Sequence, residues 1–435
     1  MIRIESQAAV QQISAAAERV QCDLARQKDR WSGGFTRRRF LVGAGAVAAA
    51  ALSSQLVTTR YSYAAPGTGS GAALVVIFLR GGFDGLSAVV PAHDPGYAAV
   101  RPSIGIPAAS LLPLDRRFGL HPACAPLYPY WQNQRLAIVH AVGSPNVSRS
   151  HFAAQEIIER GVGSPSTRTG WLERALELAG PGTTFRAVSE GVASPRSLAG
   201  SGGAVSMQGV ESLVLRGRSD RLDEALRGLY TGLDHPVADQ VELTLQTLGE
   251  AAALQASGYR PASGAVYPNG LFGPAVADVA RLIKADVGLR VATVDVGGWD
   301  LHTDAGRVDS GAMTAHLTEL SSALTAFADD LGARLDDVTV VTMSEFGRRV
   351  QQNGSGGTDH GHGNVMFLLG GGVAGGRVHG SWPGLAPEAL IGGDLAGPND
   401  YRDVLAEVSQ RQLGLASVDP VFPDHRYTRL GVMRR

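Results

Sequence analysis

The chain is poor in cysteine, and the scarcity is informative. Of 435 residues only two are cysteine, Cys22 and Cys124. Cys124 stands alone in the body of the chain, which excludes an intrachain disulfide there and any cysteine-based zinc or iron–sulfur centre. Charge of one sign is also missing. Lys plus Arg (39) nearly matches Asp plus Glu (40), so no strong field exists to draw a nucleic acid, and none is expected as a partner. Aromatic residues are few, at 6%, which argues against a stacking platform for single strands or carbohydrate. No Gly-rich dinucleotide fingerprint is present, because "GTGSGA" precedes a strand instead of following one. A redox cofactor therefore has no sequence support.

The apolar content of 44% beside 18% charged residues belongs to a globular protein long enough to bury a sizeable core. Residues 36 to 42, "TRRRFLV", and the Ala/Gly-rich run after them read as a twin-arginine export signal, too weakly apolar for a membrane span. "SYA" at 62 to 64 offers small residues for cleavage. Residues 1–65 are thus expected to be signal and N-terminal extension, recognised by the twin-arginine export machinery, and the mature protein periplasmic or extracellular. Such cargo folds in a reducing cytosol, which agrees with the missing disulfides.

Five short apolar runs punctuate the body: 73–80, 135–142, 289–296, 337–343 and 364–371. Unbroken runs of this length predict buried, parallel strands. Helical spacing predicts helices near 151–160 and 311–335. The alternation predicts an α/β fold with a largely parallel sheet flanked by helices, spanning 73–435. Within it, 180–275 holds the strand-like "FRAVSEG" and two Ala/Leu-rich helices, around 237–256 and 274–285, and reads as a helical insertion or cap.

The polar clusters follow these strands. Asp84 follows the first; Ser148, Ser150 and His151 the second; Asp300 and His302 the third; Glu345 the fourth. Asp359, His360 and His362 precede the fifth, in "GTDHGHGN". In an open parallel sheet the loops beyond the carboxyl ends of the strands share one edge, where ligands bind. Carboxylates with imidazoles and no thiolate suit a first-row divalent ion, zinc or manganese above others. Asp84, Asp300, His302, Glu345, Asp359, His360 and His362 are the candidate ligands. Ser150, at an expected helix start, reads equally as an N-cap or as a nucleophile activated by a metal or by His151. Arg149 in the same loop is placed to face an anion. His93, His121, His140, His316, His379 and His425 are read as structural or solvated.

The order of "RGGFDGL", "NVSRSHF", "GGWDLHTD", "MSEFGRR" and "GTDHGHGN" resembles an uncharacterised bacterial export family, domain of unknown function 1501. That family is similar to a distant branch of the alkaline phosphatase and sulfatase superfamily. The resemblance implies an alkaline-phosphatase-like fold and a metal-dependent hydrolase acting on a small or polymer-borne phosphate or related ester. It implies Asp84 as the ligand after the first strand, Ser150 as nucleophile, Asp300 and His302 as an acid–imidazole ligand pair, and His360 or His362 as the late ligand. The chain departs from the pattern at Ser344-Glu345-Phe346, where the superfamily has Asp-His. The octapeptide replaces that imidazole, or one metal is held, or hydrolysis is lost and a non-catalytic metal-binding or partner protein remains. The Cys/Ser-x-Pro-x-Arg signature is absent at Ser150, which disfavours a sulfatase of that type.

Overall fold

The structure is a computed structural model and describes residues 71–434 apart from 166, 192–193, 201–202, 216, 233–235 and 263. The expected export segment lies outside the described residues. The first apolar run forms β1 (Ala73–Leu79), and every residue of it is buried. Its side chains alternate between two cores. Ala73, Val75, Ile77 and Leu79 face one and Leu74, Val76 and Phe78 the other, as a strand covered on both faces requires.

Nine strands make the main sheet. After β1 come β2 (Leu136–Gly143), β3 (Ala187–Glu190), β4 (Val205–Met207), β5 (Val291–Val296), β6 (Val338–Met343), β7 (Asn364–Gly370), β8 (Val378–His379) and β9 (Asn399–Asp400). The order across the sheet is β8-β2-β7-β6-β1-β5-β3-β4, with β9 also on β2. The five expected strands all form, within two residues of their predicted bounds. Pairings are parallel except those of β7, which runs antiparallel to both β2 and β6.

Helices cover both faces. α1 (His151–Arg160), α2 (Trp171–Leu178) and α7 (Tyr401–Gln412) lie on one side, and α5 (Phe272–Lys284) and α6 (Ala312–Leu331) on the other. Between them in sequence are α3 (Asp220–Tyr230) and α4 (Pro236–Ser257). Residues 180–275 are therefore not wholly helical: they add β3 and β4 to the sheet edge, and Leu248, Ala251 and Leu254 of α4 join the main core.

The direction of β7 places the functional loops. Every parallel strand ends at one edge of the sheet, and an antiparallel strand begins there. The octapeptide leading into β7 consequently lies beside the loops that leave β1, β5 and β6. Close packing at that edge explains its glycines. A Cβ on Gly81, whose φ is +123°, would lie 2.5 Å from the Asp300 backbone nitrogen, and one on Gly361 would lie 2.4 Å from the carbonyl carbon of Arg348. The glycines let four loops touch backbone to backbone.

Candidate metal centre

His151 opens α1, Asp300 and His302 follow β5, Glu345 follows β6, and Asp359 and His360 precede β7. Their side chains meet. His360 Nε2 lies 3.0 Å from His151 Nε2, 2.9 Å from His302 Nε2 and 3.2 Å from Asp300 Oδ1. Asp300 Oδ1 is 3.1 Å from His302 Nε2, and its Oδ2 is 3.4 Å from His151 Nε2. Among the described residues, His151, Asp300 and His360 form a group that could hold a metal ion, and His302 adjoins it.

Two imidazole nitrogens face each other productively only if one is protonated or a cation lies between them. The opposite ring nitrogens bear on this choice. His151 Nδ1 is 2.8 Å from Glu345 Oε1, His302 Nδ1 is 3.0 Å from Asp359 Oδ1, and His360 Nδ1 is 2.7 Å from the Arg149 carbonyl. Each Nδ1 meets an acceptor, which favours the tautomer with the proton on Nδ1 and leaves each Nε2 able to offer a lone pair to the common point. This is the second layer that orients metal-binding histidines. Tetrahedral ligands at zinc-like bond lengths sit about 3.3 Å apart, which the 2.9–3.4 Å separations approximate. The residues present fit a divalent ion of the zinc or manganese type.

The carboxylates are held ionised. Burial raises the Asp300 pKa, but the hydrogen bond and charge of Arg348 outweigh it and leave it below the usual range. Arg348 donates to Asp300 Oδ1 at 2.5 Å and to the carbonyls of Gly81, Gly82, Trp299 and Thr358, so one buried guanidinium ties together the loops after β1, β5 and β6. Burial likewise raises Glu345, and is overcome by donors from Gln155, the backbone, His151 and Ser344. Asp359 is lowered by Asn353 and then His302.

The expected ligands thus divide. Asp300, His302 and His360 surround the common point, while Glu345 and Asp359 stand behind histidines, 2.8 and 3.0 Å from their Nδ1 atoms. His151, expected to activate Ser150, has both ring nitrogens committed elsewhere. Ser150 is exposed at the N-cap of α1, and its hydroxyl does not cap the helix. Asp84 is not at the centre. Its Oδ2 pairs with Arg101 NH1 at 2.6 Å and accepts from Ser87 at 2.9 Å. The reason is local: Arg101 has no exposed side-chain surface and needs a counter-charge. His362 is not in the ligand group; it lines a small cavity with Gly143, Ser144, Glu345 and Asn364, where burial lowers its pKa.

Sequence reasoning missed Arg348, Gln155, Asn353 and Arg101. Gln155 had a signal, since it follows His151 by four residues and so shares its helix face; Arg348 sat in the motif "MSEFGRR" but was given no role. Phe346, where the resemblance expects an imidazole, packs its ring 4.9 Å from the rings of both His151 and His360.

No curated protein matches the chain. Among solved structures it is similar to the crystal structure of the PsFucS1 sulfatase from Pseudoalteromonas sp., at 12% identity and a TM-score of 0.36, covering 84% of this chain and 73% of that one. The family described as a protein of unknown function (DUF1501) matches residues 117–391, more than half the chain and every residue of the cluster, and the chain belongs to that family.

Proposed function

We propose that this protein is an exported, metal-dependent hydrolase of a phosphate or related ester. The observation that carries the reading is the convergence of three imidazole Nε2 atoms and the Asp300 carboxylate on one point, with every Nδ1 held by an acceptor. His151, His302, His360 and Asp300 would hold zinc or manganese. Such an ion supplies Lewis acidity toward an ester oxygen and lowers the pKa of a nearby hydroxyl or water.

The chain's own residues have distinct tasks in this reading. Glu345, Asp359 and the Arg149 carbonyl keep the histidines in one tautomer. Arg348 balances Asp300 and fixes its loop. Ser150, with its hydroxyl uncommitted to the helix, is the candidate nucleophile, one residue from His151. The uncapped amides of the first turn of α1 are donors for an anionic oxygen. Export rests on "TRRRFLV" and "SYA", with 1–65 as signal and extension and 73–435 as the mature domain.

A non-catalytic metal-binding protein is the second reading. It is favoured by the Asp84–Arg101 ion pair and by Phe346 against the histidine rings.

Elemental analysis of the folded, signal-free protein, beside His151→Ala and His360→Ala, tests the proposal. Stoichiometric zinc or manganese, lost in both variants, is expected, and a phosphate-ester screen follows. A protein that neither contains metal nor takes it up on titration refutes the centre. Bound metal with no turnover on any ester leaves the second reading.

A further inference from the structure

The surface beside the centre has an unusual composition. The octapeptide loop is flanked by two arginines. The Arg149 carbonyl accepts from His360 Nδ1 at 2.7 Å, and the Arg349 amide donates to the Asp359 carbonyl at 2.9 Å. Both side chains then converge on one buried carboxylate. Arg149 NH2 is 2.5 Å from Asp394 Oδ2, and Arg349 Nε is 3.5 Å from Asp394 Oδ1. Two guanidinium groups against one carboxylate leave a positive charge unbalanced in this trio. Asp394 is only 4% exposed, whereas Arg149 is 45% and Arg349 33% exposed. The acid is a fixed anchor and the two cations present their free edges to solvent.

Exposed apolar residues also lie close to these arginines along the chain. Among the described residues seven large apolar side chains are exposed, and three of them neighbour these arginines or their contacts along the chain: Phe152 at 79%, Val147 at 64% and Ile391 at 55%. Val147 and Phe152 lie two residues before and three after Arg149. Ile391 precedes Gly392, whose carbonyl accepts from Arg349 NH2 at 2.6 Å. Phe152 directly follows His151. An exposed phenyl ring adjoining a candidate metal-binding histidine has no role in the core, and concentrated exposed apolar surface marks a binding site.

Resting on the metal-centre reading above, we propose that the ester taken by this site is amphiphilic. Its anionic head lies between the centre and the Arg149–Arg349 pair, and its apolar substituent, an aryl or alkyl group, lies on Phe152, Val147 and Ile391. Planar guanidinium groups suit a phosphoryl-type anion through paired hydrogen bonds. The apolar rim selects among such anions by the area it covers.

Methylphosphonate and phenylphosphonate test this, since both carry the anionic head, differ in apolar area and have no ester bond to cleave. Their affinities for the zinc-loaded protein are measured by calorimetry. Phenylphosphonate is expected to bind about tenfold tighter. Phe152→Ala, an exposed change that costs the fold little, should erase most of that advantage and leave methylphosphonate unchanged. Arg149→Ala should weaken both ligands about tenfold, and Arg149→Lys, which keeps the charge beside Asp394, should weaken them less, with metal content at the wild-type level in both. Equal binding of the two phosphonates, or no effect of Phe152→Ala, overturns the proposal while the metal centre stands. Stoichiometric metal with no phosphonate binding does the same. If no metal binds, the centre falls; phosphonate binding that still depends on Phe152 and Arg149 then keeps the amphiphile site, and its absence overturns both.

Discussion

Replacing Asp84 by asparagine separates a structural acid from a ligand. The Asp84 carboxylate lies 2.6 Å from Arg101 NH1, with side-chain exposures of 7% and 0%. Removing the negative charge strands a buried guanidinium, which typically costs about 3–5 kcal/mol. Arg101 keeps hydrogen bonds to Ser87 Oγ and to the carbonyls of Arg349 and Val350, and asparagine can still accept one. The lower end of the range, about 3 kcal/mol, is therefore expected, a change of roughly 150-fold in the unfolding constant. With a urea slope near 3 kcal/mol/M the midpoint falls by about 1 M. Metal content measured on the folded variant should stay at the wild-type level. Adding Arg101→Met removes the stranded charge and should recover part of the loss. A variant that unfolds at nearly the wild-type urea concentration but has lost its metal would refute this reasoning and return Asp84 to the ligand set.

Other outcomes follow from the same geometry. Glu345→Gln removes the charged acceptor behind His151 Nδ1, so metal affinity by competitive titration should drop by about 10–100-fold; an unchanged affinity would show that Glu345 does not orient that ring. A side chain at Gly361 meets the Arg348 backbone at 2.4 Å, so Gly361→Ala should cost about 1–3 kcal/mol and displace His360; retained stability and metal content would contradict the close packing. His140, buried against Phe118 and Trp382, has its pKa lowered from 6.5 to about 4 by burial. The unfolded chain then binds more protons between these values, and stability is complete above pH 6.5 and falls as pH drops toward 4. Between pH 7 and pH 5 this loss is about 2 kcal/mol. His140→Gln should flatten that part of the urea-midpoint profile; an unaltered profile would assign the acid sensitivity elsewhere.

The fold was largely legible in the sequence because buried strands announce themselves as apolar runs. Residues 73–79 carry no polar side chain, since both faces of β1 are covered. β4 leaves no such mark for the opposite reason: it is an edge strand only three residues long, and a run that brief does not stand out from a loop.

What the sequence determined by itself was the chemical inventory at the strand ends: Asp300, His302, Glu345, Asp359 and His360, beside His151, with no thiolate among them. Residue type and spacing decide which donors exist. Their assignment depended on tertiary structure. The antiparallel direction of β7 brings "GTDHGHGN" to the edge where the other strands end, and strand direction leaves no mark on an apolar run. Asp84 and Asp300 look alike in sequence, each an acid after a buried strand. One meets Arg101 in the core and is neutralised there, the other meets three imidazoles at a partly open edge. A carboxylate takes its function from the charge that reaches it, and that charge arrives from segments distant in the chain.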